Sequence, residues 1–207
     1  MSGRRVDYDR IASTYDRRYE GDGMSDTAAA LLALAQGLRP ERILEVGCGT
    51  GDLLFQAASK ISFGYGVDID QGMIDYAEAK KQENNLNHLS FDCIDALQIV
   101  PRHFDISTST LCLHELPEKE ACELLKMMVK NSNLVLIADY TAAKSTLGKI
   151  SIEFDEMLSG HYRNYRHYRN SGELPSYAEK IGATVQREIG SVIDGISIWV
   201  ISKNAMA

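Results

Sequence analysis

The sequence has no long apolar run. The longest, Ala28 to Ala35, is eight residues, less than half of the roughly 20 that a bilayer-crossing helix needs, so no membrane span is expected. Arg4 and Arg5 are followed by Val6-Asp7-Tyr8-Asp9 rather than by an apolar segment, so no signal peptide begins here and a cytoplasmic location is expected. Cys48, Cys93, Cys112 and Cys122 lie 45, 19 and 10 positions apart, which gives no Cys-x-x-Cys pair and no zinc spacing. They read as reduced thiols, with no metal expected, and isolated cysteines of this kind are too often buried to suit metalloid chemistry. Positive charge is also in deficit, with 22 Lys plus Arg against 29 Asp plus Glu and a net charge of −7. A general nucleic-acid binder needs a broad basic face, so nucleic acid is not an expected partner. There is no linker, repeat or low-complexity segment.

What is present is an ordinary globular composition, 44% hydrophobic and 25% charged over 207 residues, sized for a single domain spanning 1–207. Strands alternate with helices from about residue 41, which implies an α/β fold with a parallel sheet. The expected strands are Arg42 to Val46, Phe63 to Asp68, Leu89 to Cys93, Phe104 to Ser109 and Leu134 to Asp139. Helical spacing runs over Leu53 to Ser59, Met73 to Glu83 and Glu118 to Lys130. Two β-rich runs, Ala183 to Ile189 and Val192 to Ser202, read as a closing antiparallel hairpin turning at Gly190-Ser191. Residues 1–37 read as helical cover, 41–140 as a cofactor-binding core, 144–180 as a helical insertion and 183–203 as the closing hairpin.

The most informative segment is Glu45-Val46-Gly47-Cys48-Gly49-Thr50-Gly51-Asp52. A strand ends at Val46, and glycines at alternate positions allow a tight turn and close approach to a ligand before a helix starts. Where a dinucleotide fingerprint has its third glycine, this chain has Asp52, which disfavours a pyrophosphate cofactor. Asp68, closing the next strand and followed by Ile69, is placed to take both ribose hydroxyls of an adenosine. Asp95 beside the Ala96 backbone N–H, after the third strand, offers an acceptor and a donor to an adenine edge.

These residues resemble class I S-adenosylmethionine-dependent methyltransferases over most of the chain. Glu45 to Gly51 looks like their first motif, Val67-Asp68 their ribose-binding acid, Asp95-Ala96 their adenine contact, and Phe104-Asp105 with Leu111 to Leu116 their fourth motif. Tyr8-Asp9-Arg10-Ile11-Ala12-Ser13-Thr14-Tyr15-Asp16 resembles the amino-terminal string of the ubiquinone/menaquinone C-methyltransferase-like subgroup, in which Tyr15 would close over the cofactor. The resemblance implies a Rossmann-like, doubly wound, seven-stranded sheet with an antiparallel last strand. It also implies S-adenosylmethionine as cofactor, S-adenosylhomocysteine as product and a small-molecule acceptor. One departure is Val129-Lys130-Asn131-Ser132-Asn133, where relatives usually have Pro-Gly-Gly before the fifth strand; Asn and Ser are also turn formers, so a turn is still expected there.

Methyl transfer from a sulfonium is an in-line displacement, so much of the catalysis comes from positioning. His114 and Glu115, expected at the carboxyl edge of the sheet, are the candidates for orienting the acceptor, with His114 the candidate base; the alternative is that either caps the following helix. In the insertion, Gly160-His161-Tyr162-Arg163-Asn164-Tyr165-Arg166-His167-Tyr168-Arg169-Asn170 puts Tyr162, Tyr165 and Tyr168 on one helical ridge and Arg163, Arg166 and Arg169 on the next. One reading is a lid in which Tyr162, Tyr165 and Arg166 contact an aromatic or anionic acceptor. The other is a solvated helix whose arginines pair with Glu153, Asp155 and Glu156. An NAD-dependent oxidoreductase and a non-catalytic S-adenosylmethionine-binding scaffold remain the rivals to a methyltransferase, and the sequence says nothing of oligomeric state.

Overall fold

The computed structural model describes residues 30–204, apart from residues 32, 35–37 and 101. Its strands are β1 (Arg42–Val46), β2 (Phe63–Asp68), β3 (Leu89–Cys93), β4 (Phe104–Thr110), β5 (Ser132–Tyr140), β6 (Ala183–Gly190) and β7 (Ile196–Lys203). Its helices are α1 (Asp52–Ala57), α2 (Gln71–Glu83), α3 (Glu118–Asn131), α4 (Thr146–Ser159), α5 (Tyr162–Asn170) and α6 (Glu173–Lys180). The strands form one sheet in the order β3-β2-β1-β4-β5-β7-β6. The first five run parallel, and β7 enters antiparallel between β5 and β6.

Both faces of the sheet are covered, so its central strands are apolar on both sides and successive residues alternate between two cores. On β5, Val135 and Ile137 join the cluster that holds Leu125 of α3, Tyr177 of α6 and Trp199 of β7. Leu136 and Ala138 face the other way, into the cluster of Leu54 from α1 and Ile74 from α2. Glycines 64 and 66 leave β2 bare on that second face, and β3 leans across the gap: a Cβ on Gly66 would lie 2.6 Å from the Phe91 ring and 2.9 Å from Cys48 Sγ.

Three expectations need correction. The closing hairpin does not turn at Gly190-Ser191, and its last strand does not start at Val192. The turn takes residues 191–195, closed by Ser191 N–H donating to Ile196 O at 3.0 Å, with Val192 exposed. Asp194, within that turn, accepts from Lys144 and Ser145 N–H at 2.7 and 2.9 Å, which explains why this stretch leaves the strand. The segment around Asn131-Ser132 needs no turn at all. Helix α3 runs directly into β5, with Asn131 Nδ2 donating to Met127 O at 3.0 Å and Ser132 Oγ donating to Met128 O at 2.5 Å, so these side chains satisfy the helix's last carbonyls. His114 and Glu115 do not end strand four: β4 stops at Thr110, Leu111 takes the left-handed region at φ 49°, and Leu113–Glu115 form one 3-10 turn.

Replacing Gly66 by Val forces Phe91 or Cys48 to move, at an expected cost of about 1–3 kcal/mol. Calorimetric melting should show Tm falling by several degrees; an unchanged Tm would mean that the second core has room the structure does not show.

Candidate active site

Beyond β1 the chain folds back over its own strand ends. Gly47 and Cys48 N–H donate to Val67 O at 2.9 and 3.1 Å, tying the loop to β2. Gly47 (φ 66°) and Gly49 (φ 51°) both occupy the left-handed region that side chains disfavour. They differ in what surrounds them. A Cβ on Gly47 would sit 3.2 Å from Cys112 Sγ, so the loop after β4 abuts it, whereas a Cβ on Gly49 would meet nothing within 4 Å. The loop is therefore open over Gly49, beside the point where connections leave β1 and β4 in opposite directions.

Three acids ring this opening. Glu45 is buried, and among the described residues its Oε2 has no hydrogen-bond partner. Burial, then the charges of Asp52 and Asp68, hold its carboxyl well above the usual range, against a backbone N–H from Leu54. Asp68 Oδ2 accepts from Gly49 N–H at 2.8 Å and Oδ1 from Asp70 N–H at 3.0 Å. Burial raises its pKa while these N–H groups oppose the rise, and each oxygen keeps a lone pair for a hydroxyl. Ile69, next in the chain, is 63% exposed. Asp95 is exposed and caps the short turn Ala96–Gln98 by accepting from Leu97 N–H at 2.9 Å, with Ala96 buried beneath.

On the other side of β4 lies a buried charge cluster. His114 Nδ1 is 2.5 Å from Asp139 Oδ1, and Nε2 is 3.3 Å from Glu156 Oε1 on α4. Asp139 Oδ2 also accepts from the N–H groups of Leu113 and His114. The ring packs against Tyr140 at 4.5 Å and edge-on to Tyr165 at 6.3 Å. Burial disfavours the charged imidazole, but Asp139 and Glu156 outweigh it and push its pKa up to about 10.

The profile of the methyltransferase-domain family matches residues 39–182. The chain belongs to that family. This methyltransferase domain is 33% identical over 116 residues to aklanonic acid methyltransferase DauC of Streptomyces sp. strain C5, across 54% of this chain and 52% of that protein. It is 28% identical over 152 residues to a ubiquinone biosynthesis O-methyltransferase of Coxiella burnetii strain Dugway 5J108-111, across 70% of this chain and 64% of that protein. The chain thus spans about half to two thirds of the length of these relatives. Among solved structures, a methyltransferase from Clostridium acetobutylicum ATCC 824 shares the fold with TM-score 0.71 at 12% identity, covering 96% of this chain and 99% of that one. The magnesium protoporphyrin IX methyltransferase of Synechocystis PCC 6803, solved with bound SAH, gives TM-score 0.65 at 19% identity, covering 88% and 84%.

Within the methyltransferase domain, the expected cofactor residues Glu45, Gly47, Gly49, Asp68, Ile69, Asp95 and Ala96 stand along the carboxyl edge of β1 to β3, while Tyr15 lies outside the described residues. His114 is enclosed. Both of its ring nitrogens face carboxylates and its side chain is 1% exposed, so it does not line the opening over Gly49. The tyrosine ridge divides: Tyr168 is wholly buried in the main core against Tyr177, Tyr165 backs His114, and only Tyr162 is half-buried at the surface. Arg166 is half-exposed, 3.2 Å from the Tyr162 hydroxyl and 3.9 Å from Glu153, and Arg169 pairs with Glu173. Three residues escaped sequence reasoning as a group: Asp139 and Glu156, which engage His114, and His161, which lies 3.1 Å from Glu115. Only an apolar strand ending in Asp139 gave any sign of the first.

An unfolded histidine titrates near 6.5, so the stabilisation from charged His114 is complete below that pH and is lost as pH rises through about 10. Urea unfolding from pH 6 to 10 should show falling stability in the wild type and a flatter profile in His114→Gln. Asp139→Asn should cost about 3 kcal/mol at neutral pH; a pH-independent wild type would contradict the charged assignment.

Proposed function

We propose that the chain is an S-adenosylmethionine-dependent methyltransferase acting on a small aromatic acceptor that carries a hydroxyl or carboxylate. The observation that carries this reading is the opening over Gly49, whose N–H donates to the Asp68 carboxylate, in the loop that leaves β1 just after Glu45, whose Oε2 has no hydrogen-bond partner among the described residues. When bound, the cofactor supplies an activated methyl on a sulfonium. The residues fit it: Glu45 offers an acceptor to the ammonium, Asp68 to the ribose hydroxyls, exposed Ile69 an apolar platform for the adenine, and Asp95 with the Ala96 N–H its polar edge. Tyr15 is the expected closing residue over the sulfonium.

A dinucleotide suits the same opening less well. Asp52 stands in the first turn of α1, where a pyrophosphate would need the helix N-terminus free of negative charge. The names of the relatives support an aromatic acceptor, since they include an aklanonic acid methyltransferase and ubiquinone O-methyltransferases. A structural neighbour of TM-score 0.67, an O-methyltransferase of neocarzinostatin biosynthesis, was solved with 1,4-dihydroxy-2-naphthoic acid. The ubiquinone/menaquinone C-methyltransferase-like subgroup is suggested by the Tyr8 to Asp16 string alone, since the ubiquinone relatives are named O-methyltransferases.

Titration calorimetry should show S-adenosylhomocysteine binding and no comparable binding of NAD. Asp68→Ala should weaken S-adenosylhomocysteine about 10- to 100-fold, the worth of hydrogen bonds to a charged group. Equal affinity of wild type and Asp68→Ala, or preference for NAD, would reject the reading.

A further inference from the structure

The insertion's first residue before α5 is His161, and it faces the loop that follows β4. Its Nδ1 lies 3.1 Å from Glu115 Oε1 and is shut off from solvent, without the alignment of a formed hydrogen bond, so Glu115 is the carboxylate on hand to fix the tautomer. The side chain is nonetheless 20% exposed, so the accessible part of the ring lies away from Nδ1, and among the described residues Nε2 has no hydrogen-bond partner. Glu115 is fixed in turn: its carbonyl accepts from Asn164 Nδ2 of α5 at 2.7 Å, locking the 3-10 turn to the insertion. This is the opposite of His114, whose two nitrogens are both taken. A carboxylate that engages Nδ1 sets the tautomer and leaves the Nε2 lone pair to act.

The pair also stands on the right side of the sheet. Cys112, three residues before Glu115, abuts Gly47 of the cofactor loop. Cys112 also caps the 3-10 turn that carries Glu115, with Glu115 N–H donating to Cys112 O at 3.3 Å, so one turn of chain joins the cofactor loop to Glu115. Chain order along the edge is therefore glycine loop, Cys112, Glu115, His161.

Resting on the methyltransferase reading, we infer that His161 is the general base of the reaction, that Glu115 positions it, and that the acceptor atom is a hydroxyl oxygen ionised on the enzyme. The acceptor O–H proton passes to Nε2, the oxygen pair forms the O–CH3 bond, and the S–CH3 bond breaks with its electrons left on sulfur. The imidazolium so formed returns its proton to solvent. The groups facing His161 are Glu115 from the turn after β4, Glu156 from α4 and His114. Contact with Glu115 raises the ring's pKa against the effect of burial, Glu156 adds to the rise, and His114 opposes it. Because the base works when neutral, kcat should rise with pH through a midpoint above the ordinary histidine value of about 6.5.

The test uses the full chain, labelled S-adenosylmethionine and 1,4-dihydroxy-2-naphthoic acid with 3,4-dihydroxybenzoic acid as probe acceptors. His161→Asn and His161→Gln should each lower kcat about 100-fold or more at neutral pH, with S-adenosylhomocysteine affinity within twofold of wild type and the deficit shrinking at high pH. Glu115→Gln should move the kcat midpoint downward, which a merely structural role would not do. Undiminished kcat in both His161 variants, an unmoved midpoint in Glu115→Gln, or methylation of neither probe by an enzyme that binds S-adenosylhomocysteine would overturn the assignment. Failure to bind S-adenosylhomocysteine at all would instead reject the underlying methyltransferase reading.

Discussion

Helix α4 buries Ile152 and Glu156 and leaves Leu147, Ile150, Phe154 and Met157 exposed, so beside the packing of Ile152 on Ala143 and Tyr165 the contact of Glu156 with His114 is its buried polar attachment. That contact continues through the ring to Asp139 on β5. A cation between two carboxylates in a water-excluded site is costly to assemble and more costly to leave incomplete. Here it converts the end of a parallel strand into the anchor for a helix that apolar burial alone would hold weakly. Tyr140 and Tyr165 close around the imidazole, and the same α5 that supplies Tyr165 carries Asn164 to the Glu115 carbonyl. The position of His161 relative to the cofactor loop follows from this arrangement.

The two histidines of this edge illustrate how environment divides one side-chain chemistry into two roles. His114 loses both lone-pair positions to carboxylates and becomes a fixed charge. His161 meets one carboxylate, is partly exposed and keeps one nitrogen for chemistry. Acids divide likewise. Glu45 is buried with an unpartnered oxygen, a state that a cationic ligand relieves, while Asp68 is held by two backbone N–H groups and serves as a hinge between loop and strand.

That Glu45, Gly49, Asp68 and Asp95 would gather at one sheet edge was legible in the sequence, because they are contiguous with strands whose period is plain. Glu45 to Gly51, Asp68 and Asp95 each follow an apolar run, and parallel strands bring such ends to one edge whatever their separation in the chain. The seven-stranded sheet with its antiparallel last strand was implied by the family resemblance and agrees with the hairpin reading. The charge cluster beyond β4 was not legible for the converse reason. His114, Asp139 and Glu156 come from three elements, and no local spacing marks a pair 25 residues apart as a hydrogen bond. His161 sat inside a conspicuous string whose Tyr and Arg ridges drew attention, yet burial sends Tyr168 into the core and carboxylates take Arg166 and Arg169. The hairpin turn was misplaced because Val192 has β propensity, whereas Asp194 binds the N–H groups at the start of the insertion.

One carboxyl edge is expected to hold the cofactor at Gly49 and Asp68 and to present its sulfur to the side occupied by Glu115 and His161. In a crystal structure of the complex with S-adenosylhomocysteine, the ribose hydroxyls should lie on the Asp68 carboxylate and the sulfur should face the Glu115–His161 pair across Cys112. A ligand bound away from the Gly49 opening, or a sulfur directed away from that pair, would contradict it.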